Sequence, residues 1–259
     1  MKNIIFTDLD GTLLDTDSYS FQKAKKALDL IKKNKIPLIF CTSKTRAEIE
    51  FWQDKIGNTD PFISENGGGI FIPKNYFSFN FLYDKEYKNY FVIKLGTEYN
   101  QLVEIIDLLK EGFKIISFSD MSIEEIAEDA DLDLLQAKLA KKREFDLPFK
   151  ILNKKQEKDI LNKISKHGLN YTVGGRYYHL LGDNNKGEAV KILSYLFRRK
   201  YGNIKTIAIG DSENDFQMLD VADRSYLVKK KDGSYASTRY RKAKGVGPEG
   251  WNDIVIGEV

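Results

Sequence analysis

Asp8-Leu9-Asp10-Gly11-Thr12 follows at once on the apolar run Ile4-Ile5-Phe6. The run reads as a short buried strand, and Gly11 reads as the turn that ends it. A turn placed there can bring both carboxylates to the rim of one pocket. Such a pair can divide its work, one attacking as a nucleophile and the other passing a proton. Asp and Gly are also ordinary turn formers. A calcium loop is excluded, because Leu13 and Leu14 stand where more oxygen ligands would be needed.

Strand and helix patterns then alternate. A helix is predicted over 19–34, with Ala24, Ala27, Leu28 and Ile31 at helical spacing. A strand over 36–41, a helix over 47–55 and strands over 62–64 and 70–72 follow. This alternation predicts a parallel sheet covered on both faces. The middle of the chain differs. It has strands over 90–95, 114–118 and 148–152, and one or two more within 170–181. Helices are expected over 100–110, 122–129, 132–143 and 155–167, the third with Leu132, Leu135 and Leu139 on one side. None of these strands ends in acidic residues, so the segment reads as a separate α+β insertion. The first pattern resumes with a helix over 186–201. A strand over 206–209 then ends in Gly210-Asp211-Ser212-Glu213-Asn214-Asp215. A helix from 215 to 221 and a last core strand over 225–228 complete it. The expected fold class is α/β: a doubly wound parallel-sheet (Rossmann-like) core from 1–84 and 182–259, with an inserted α+β domain over 85–181.

Forty-one basic against 38 acidic residues leave a net charge of only +3, too balanced for nucleic acid to be the main partner. No apolar stretch approaches the length of a membrane span, and no signal peptide opens the sequence, so the cytoplasm is the expected compartment. The one cysteine, Cys41, cannot form an intrachain disulfide and sits in an apolar run, as a small core residue would. Nothing in the sequence sets an oligomeric state.

Thr42 follows one predicted strand, Lys186 opens a helix, and Asp211 and Asp215 follow another strand. In an open parallel sheet, functional residues gather beyond the carboxyl ends of the strands. Asp8, Asp10, Asp211 and Asp215 would then bring up to four negative charges into one pocket. Two such charges ~4 Å apart repel by about 4 kcal/mol at an effective dielectric of ~20. The cluster needs a cation, and all-oxygen ligands favour Mg²⁺. Lys186 and the Thr42 hydroxyl could hold phosphate oxygens. These are the parts for phosphoryl transfer.

In this order along the chain, the motifs resemble those of the haloacid dehalogenase superfamily. The resemblance extends through Cys41-Thr42-Ser43-Lys44-Thr45-Arg46, Pro61 to Gly69, Arg143-Glu144-Phe145 and Gly174-Gly175-Arg176-Tyr177-Tyr178-His179. It therefore covers essentially the whole chain, with Leu147 before Pro148 as a local departure. It implies that Asp8 attacks phosphorus and forms an aspartyl-phosphate. Asp10 would protonate the leaving oxygen and then activate water. Thr42 and Lys186 would bind the phosphoryl group. Mg²⁺ would be held by Asp8, the backbone carbonyl of Asp10, and Asp211, with Asp215 in support. The insertion would be a cap that excludes water and reads the leaving group.

Ser43-Lys44 after the motif threonine points to the branch that acts on glycosyl-3-phosphoglycerates. The mannosyl ester is the first expectation and the glucosyl ester the second. A broader sugar-phosphate or sucrose-phosphate phosphatase is the enzyme alternative, and an inactive phosphate-ester-binding regulator the non-enzyme one. Arginine suits a glycerate carboxylate because its donors form a planar fork. Arg46, Arg143 and Arg176 are the candidates, with Ser43, Lys44, Gly175 and His179 as further substrate-binding residues. Gly67-Gly68-Gly69 reads as a hairpin turn rather than a phosphate cradle.

Overall fold

The computed structural model describes residues 1–174 and 176–259. Its elements begin with β1 (Lys2–Thr7), α1 (Lys25–Lys33), β2 (Leu38–Phe40), α2 (Arg46–Ile56), β3 (Phe62–Ser64), β4 (Gly69–Pro73), β5 (Lys85–Tyr87) and β6 (Tyr90–Lys94). The middle contains α3 (Tyr99–Lys110), β7 (Ile115–Ser117), α4 (Ile123–Ala130), α5 (Leu134–Ala140), β8 (Asp146–Ile151), α6 (Glu157–Lys166), β9 (Asn170–Gly174) and β10 (Tyr177–Leu181). The chain continues with α7 (Lys186–Tyr201), β11 (Ile204–Gly210), α8 (Phe216–Val221), β12 (Arg224–Lys229), β13 (Arg241–Val246) and α9 (Pro248–Glu258).

Successive side chains of a strand point to opposite faces, and β1 uses both. Ile4 and Phe6 pack on one side with Ala189, Val190, Leu193 and Phe197 of α7 and Met218 and Leu219 of α8. Ile5 packs on the other side with Ala27 and Ile31 of α1 and Trp251, Ile254 and Val255 of α9. A strand that is apolar on both faces needs helices on both faces. The core sheet is accordingly parallel throughout, in the order β13-β12-β11-β1-β2. The α/β core expected from the sequence is present.

The structure extends that core beyond the last expected strand. In β13 only Ala243 is buried, as befits an edge strand, so its sequence carries no apolar alternation. Helix α9 has Pro at its first position and buries Trp251, Ile254 and Val255 at helical spacing.

β3 is also placed differently from expectation. A single parallel bridge, Cys41 to Ile63, links it to the end of β2. Its main partner is β4, antiparallel, in a second sheet ordered β3-β4-β6-β5. Cys41 is fully buried at this junction, and burial pushes its thiol well above the ordinary range. β5 and β6 fall within the stretch 85–181, yet they pair into the sheet that β3 and β4 begin. Val92 of β6 shares a core cluster with Ile5 and Phe62.

The remaining insertion is a four-stranded antiparallel sheet, β7-β8-β10-β9. Its own apolar cluster includes Leu102 and Ile106 of α3, Phe149 of β8, and Ile160 and Ile164 of α6. Helix α5 is shorter than expected. Asp133 caps its start, and its buried face is Ala137 and Ala140, while Leu135 is exposed. Two alanines let the helix lie close to its neighbours, where a leucine stripe would hold it off. Among the described residues, no helix is long and apolar enough to cross a membrane.

Candidate active site

Asp8 and Asp211 each stand directly after a core strand, β1 and β11, and Thr42 lies two residues past the end of β2. These strands are parallel neighbours, so their carboxyl ends share one rim. Thr7 fixes the end of β1: its hydroxyl donates to the Asp8 carbonyl at 2.7 Å and accepts from the Trp251 indole at 2.9 Å. Gly11 then turns the chain with φ +70°, and a Cβ there would come 3.1 Å from Asp211 Oδ2. The turn residue is therefore also a space requirement of the facing carboxylate.

Lys186 arrives on the first turn of α7. Its ammonium lies 2.9 Å from Asp8 Oδ1 and 2.6 Å from Asp215 Oδ1. The other oxygen of Asp215 accepts the backbone N–H groups of Asp211 at 3.0 Å and Ser212 at 3.2 Å. Asp211 in turn accepts the Thr12 and Ser212 hydroxyls, each at 3.3 Å. Asp8, Asp211 and Asp215 each offer an oxygen, all within 4.8 Å of one another. The Asp10 carboxylate stands apart from this trio, with Oδ2 2.9 Å from the Lys44 ammonium. Asp10 Oδ1 is buried with no hydrogen-bond partner among the described residues.

Three carboxylates and one ammonium leave surplus negative charge. Burial pushes the Asp8 carboxyl up to about 8 against the pull of Lys186, with Asp215, Asp211 and Asp10 adding to the rise. Burial and then Asp215 push Asp211 up to about 7, opposed by Lys230 and Lys186. Burial works against the Lys186 charge, but Asp215 and Asp8 overcome it and hold the ammonium well above its ordinary range. A second positive charge beside Asp8 and Asp211 would relieve the strain. The donors are all carboxylate oxygens, so the residues present fit a hard divalent cation.

A cavity of about 800 Å³ opens over these groups. Its floor includes Asp8, Asp10, Ser43 and Asp211 from the core, and its far wall includes Arg143, Arg176 and His179 from the insertion. A family model described as haloacid dehalogenase-like hydrolase matches residues 5–235.

The chain belongs to the haloacid dehalogenase-like hydrolases.

The resemblance read from the motifs is thus borne out. Curated relatives of this hydrolase span nearly all of it. A protein of Methanococcoides burtonii named glucosyl-3-phosphoglycerate/mannosyl-3-phosphoglycerate phosphatase is 48% identical, covering 99% of this chain and 97% of its own. A mannosyl-3-phosphoglycerate phosphatase of Pyrococcus horikoshii is 34% identical, covering 95% and 96%. Among solved structures, Thermoplasma acidophilum 0175 superposes with a TM-score of 0.72 at 17% identity, over 99% and 98% of the two chains. The sucrose-phosphatase of Synechocystis, solved with sucrose and phosphate, gives a TM-score of 0.62 at 14% identity, over 99% and 98%. At such identities the likeness shows the shared fold.

In this hydrolase the other sequence candidates divide into two groups. Ser43, Lys44, Arg143, Arg176 and His179 line the cavity. Lys44 reaches Asp10 and Glu48, and its ammonium lies 5.3 Å from the Tyr19 ring centre. Arg143 donates to the Ser43 carbonyl at 2.9 Å, which ties the insertion to the core loop. Arg176 is exposed and donates to the Asp129 carbonyl at 3.0 Å. Thr42 is fully buried, and its hydroxyl accepts the Lys44 amide at 3.4 Å. Arg46 does not line the cavity. Its donors go to Glu144, Glu50 and Tyr87, as a clamp between α2 and the insertion. Gly175 lies outside the described residues.

Sequence reasoning missed Asp146, Asn66, Glu65 and Glu48. Glu48 had a local signal: Thr45-x-x-Glu48 is a capping box, and both of its hydrogen bonds form. Glu65 and Asn66 stand in the hairpin turn between β3 and β4, where φ is +48° and +56°. The turn is the hairpin expected from the glycines.

Proposed function

We propose that this chain is a Mg²⁺-dependent phosphatase of glycosyl-3-phosphoglycerates, hydrolysing the mannosyl ester to mannosylglycerate and phosphate and accepting the glucosyl ester at the same site. Asp8 carries the reading: a buried carboxylate, held by Lys186, at the floor of a cavity roofed by the insertion. The names of the full-length relatives supply the substrate class. The cytoplasm is the proposed compartment.

Asp8, Asp211 and Asp215 would hold the Mg²⁺, with Asp10 contributing its backbone carbonyl. When bound, the ion neutralises phosphoryl charge and lowers the barrier to attack by an anion. Asp8 supplies the nucleophile. Its oxygen bonds to phosphorus as the bond to the leaving oxygen breaks, and Asp10 delivers a proton to that oxygen. Asp10 then takes a proton from water, whose oxygen attacks phosphorus and releases phosphate and the Asp8 carboxylate. Lys186 aims Asp8 and draws its carboxyl toward the ionised form, as the bound cation would do further, and the Thr42 region and Ser43 complete the phosphoryl cradle. The core spans 1–84 and 182–259. The cap lies within 85–181, and at its start β5 and β6 are hydrogen-bonded into the sheet begun by β3 and β4. Closure of the cap would exclude water and bring Arg143, Arg176 and His179 onto the leaving group.

Phosphate release from a panel containing the mannosyl and glucosyl esters, sucrose phosphate and p-nitrophenyl phosphate tests the substrate. The two phosphoglycerate esters should be preferred in Mg²⁺, with activity lost on chelation. Equal rates across the panel would overturn the substrate assignment while leaving the phosphatase chemistry standing.

A further inference from the structure

The chain has two histidines, and one of them, His179, lies against a fully buried carboxylate. His179 Nδ1 is 2.9 Å from Asp146 Oδ1 and 3.0 Å from Oδ2. Asp146 also accepts Asn66 Nδ2 at 2.9 Å and Arg143 Nη1 at 3.4 Å. Three partners from three parts of the chain thus converge on two oxygens: the β3–β4 turn, the segment before β8, and β10. Burial pushes the Asp146 carboxyl up, but His179 and Arg143 outweigh it and hold it below the ordinary range.

An ionised carboxylate only accepts hydrogen bonds. Nδ1 must therefore carry the proton, and in the neutral ring Nε2 keeps a free lone pair. Nε2 has no hydrogen-bond partner among the described residues, and His179 lines the cavity. Gly174, also a lining residue, is the nearby wall: a Cβ there would sit 3.4 Å from Nε2. We propose that Asp146 is a positioning residue that fixes the neutral His179 ring in its Nδ1–H form and so presents Nε2 to the cavity as an acceptor for a hydroxyl of the substrate's sugar. The proposal rests on the phosphatase reading above and gives its cap a specificity-determining contact.

Asp146→Asn makes the tautomer testable. Asparagine has one acceptor oxygen where three donors converge, and its NH₂ group can face only an acceptor. The ring can supply one by moving its proton to Nε2, which turns the outward nitrogen from acceptor to donor. In histidine-¹⁵N-labelled enzyme at alkaline pH, long-range ¹H–¹⁵N spectra should show Nδ1–H for His179 in the wild type and Nε2–H in Asp146→Asn. KM for the mannosyl ester should rise about tenfold with kcat within about threefold, and p-nitrophenyl phosphate turnover should hardly change. His179→Ala should give the same split, and the double variant should be no worse than either single one. An Nε2–H signal in the wild type, equal losses on both esters, or additive losses would each overturn the proposal. Should Asp146→Asn not fold, the wild-type spectrum and His179→Ala decide it. If the wild type prefers another sugar phosphate, the split is measured on that ester, so the substrate assignment and the positioning role fail separately.

Discussion

Lys186 allows three carboxylates to face one another in a buried space. Its single charge is divided between Asp8 and Asp215, which leaves Asp211 and part of Asp8 uncompensated. Replacing Asp8 by Asn should lower turnover by about 10³-fold or more with little change in the unfolding midpoint, because a nucleophile's contribution lies in the reaction rather than in packing. Retention of near wild-type turnover would remove Asp8 from its role. Asp211→Ala should shift the Mg²⁺ activation curve to much higher concentration; an unmoved titration would mean that Asp211 is no ligand. Much of this trio was legible in the sequence, because Asp8 and Asp211 each follow an apolar run with a glycine close by, and Asp215 comes four residues after Asp211. Asp146 was not legible. It is a lone acid within Phe145-Asp146-Leu147-Pro148-Phe149, and nothing local to it announces partners at 66 and 179.

At the scale of elements, the β3–β4 hairpin does more than reverse the chain. Its residues 65 to 67 have positive φ in succession, and Gly67 lies at φ +91°. A Cβ on Gly67 would fall 2.2 Å from the Asn185 carbonyl oxygen and 2.8 Å from the Lys186 nitrogen. The turn is thus pressed against the first turn of the helix that carries Lys186. Gly67→Ala should cost about 2–4 kcal/mol through strain and displaced backbone, and should lower activity by moving Lys186. Gly112→Ala, with nothing within 4 Å of the added Cβ, should stay within about 0.5 kcal/mol in the same urea titration. Similar losses at both positions would mean that the close approach is unimportant. The hairpin itself could be read from Gly67-Gly68-Gly69. Its seat on α7 could not, since the two segments are more than a hundred residues apart. The same holds for β13: an edge strand with one buried side chain leaves no period to detect.

Across the whole molecule, core and insertion are joined by buried polar groups rather than by apolar contact alone. Glu65 accepts the backbone N–H groups of Glu144 and Phe145, at 2.8 Å for the latter. It is fully buried, and burial pushes its carboxyl from 4.5 up to about 8, in spite of Arg143 and these N–H donors. Between those values the folded protein keeps a proton that the unfolded chain has released. The contribution of Glu65 is therefore fully present below about pH 4.5 and is lost as the pH rises through about 8. Glu65→Gln cannot titrate. The difference in unfolding free energy between wild type and variant should thus move against the wild type by about 1 kcal/mol per pH unit across that window. Parallel pH curves for the two proteins would contradict it. The domain plan was legible because the strand ends change character along the chain. The pairing of β5 and β6 with β3 and β4 was not, because these strands look like any others until their hydrogen bonds are seen.

Cys41 is the only sulfhydryl the polypeptide has, and it is sealed where β2 meets β3. Maleimide reagents would leave the native enzyme untouched, so their uptake becomes a clock for global opening. Cysteines engineered at exposed sites such as Lys26 and Glu124 would then accept fluorophores selectively, giving a ruler between the two lobes without first deleting a native thiol.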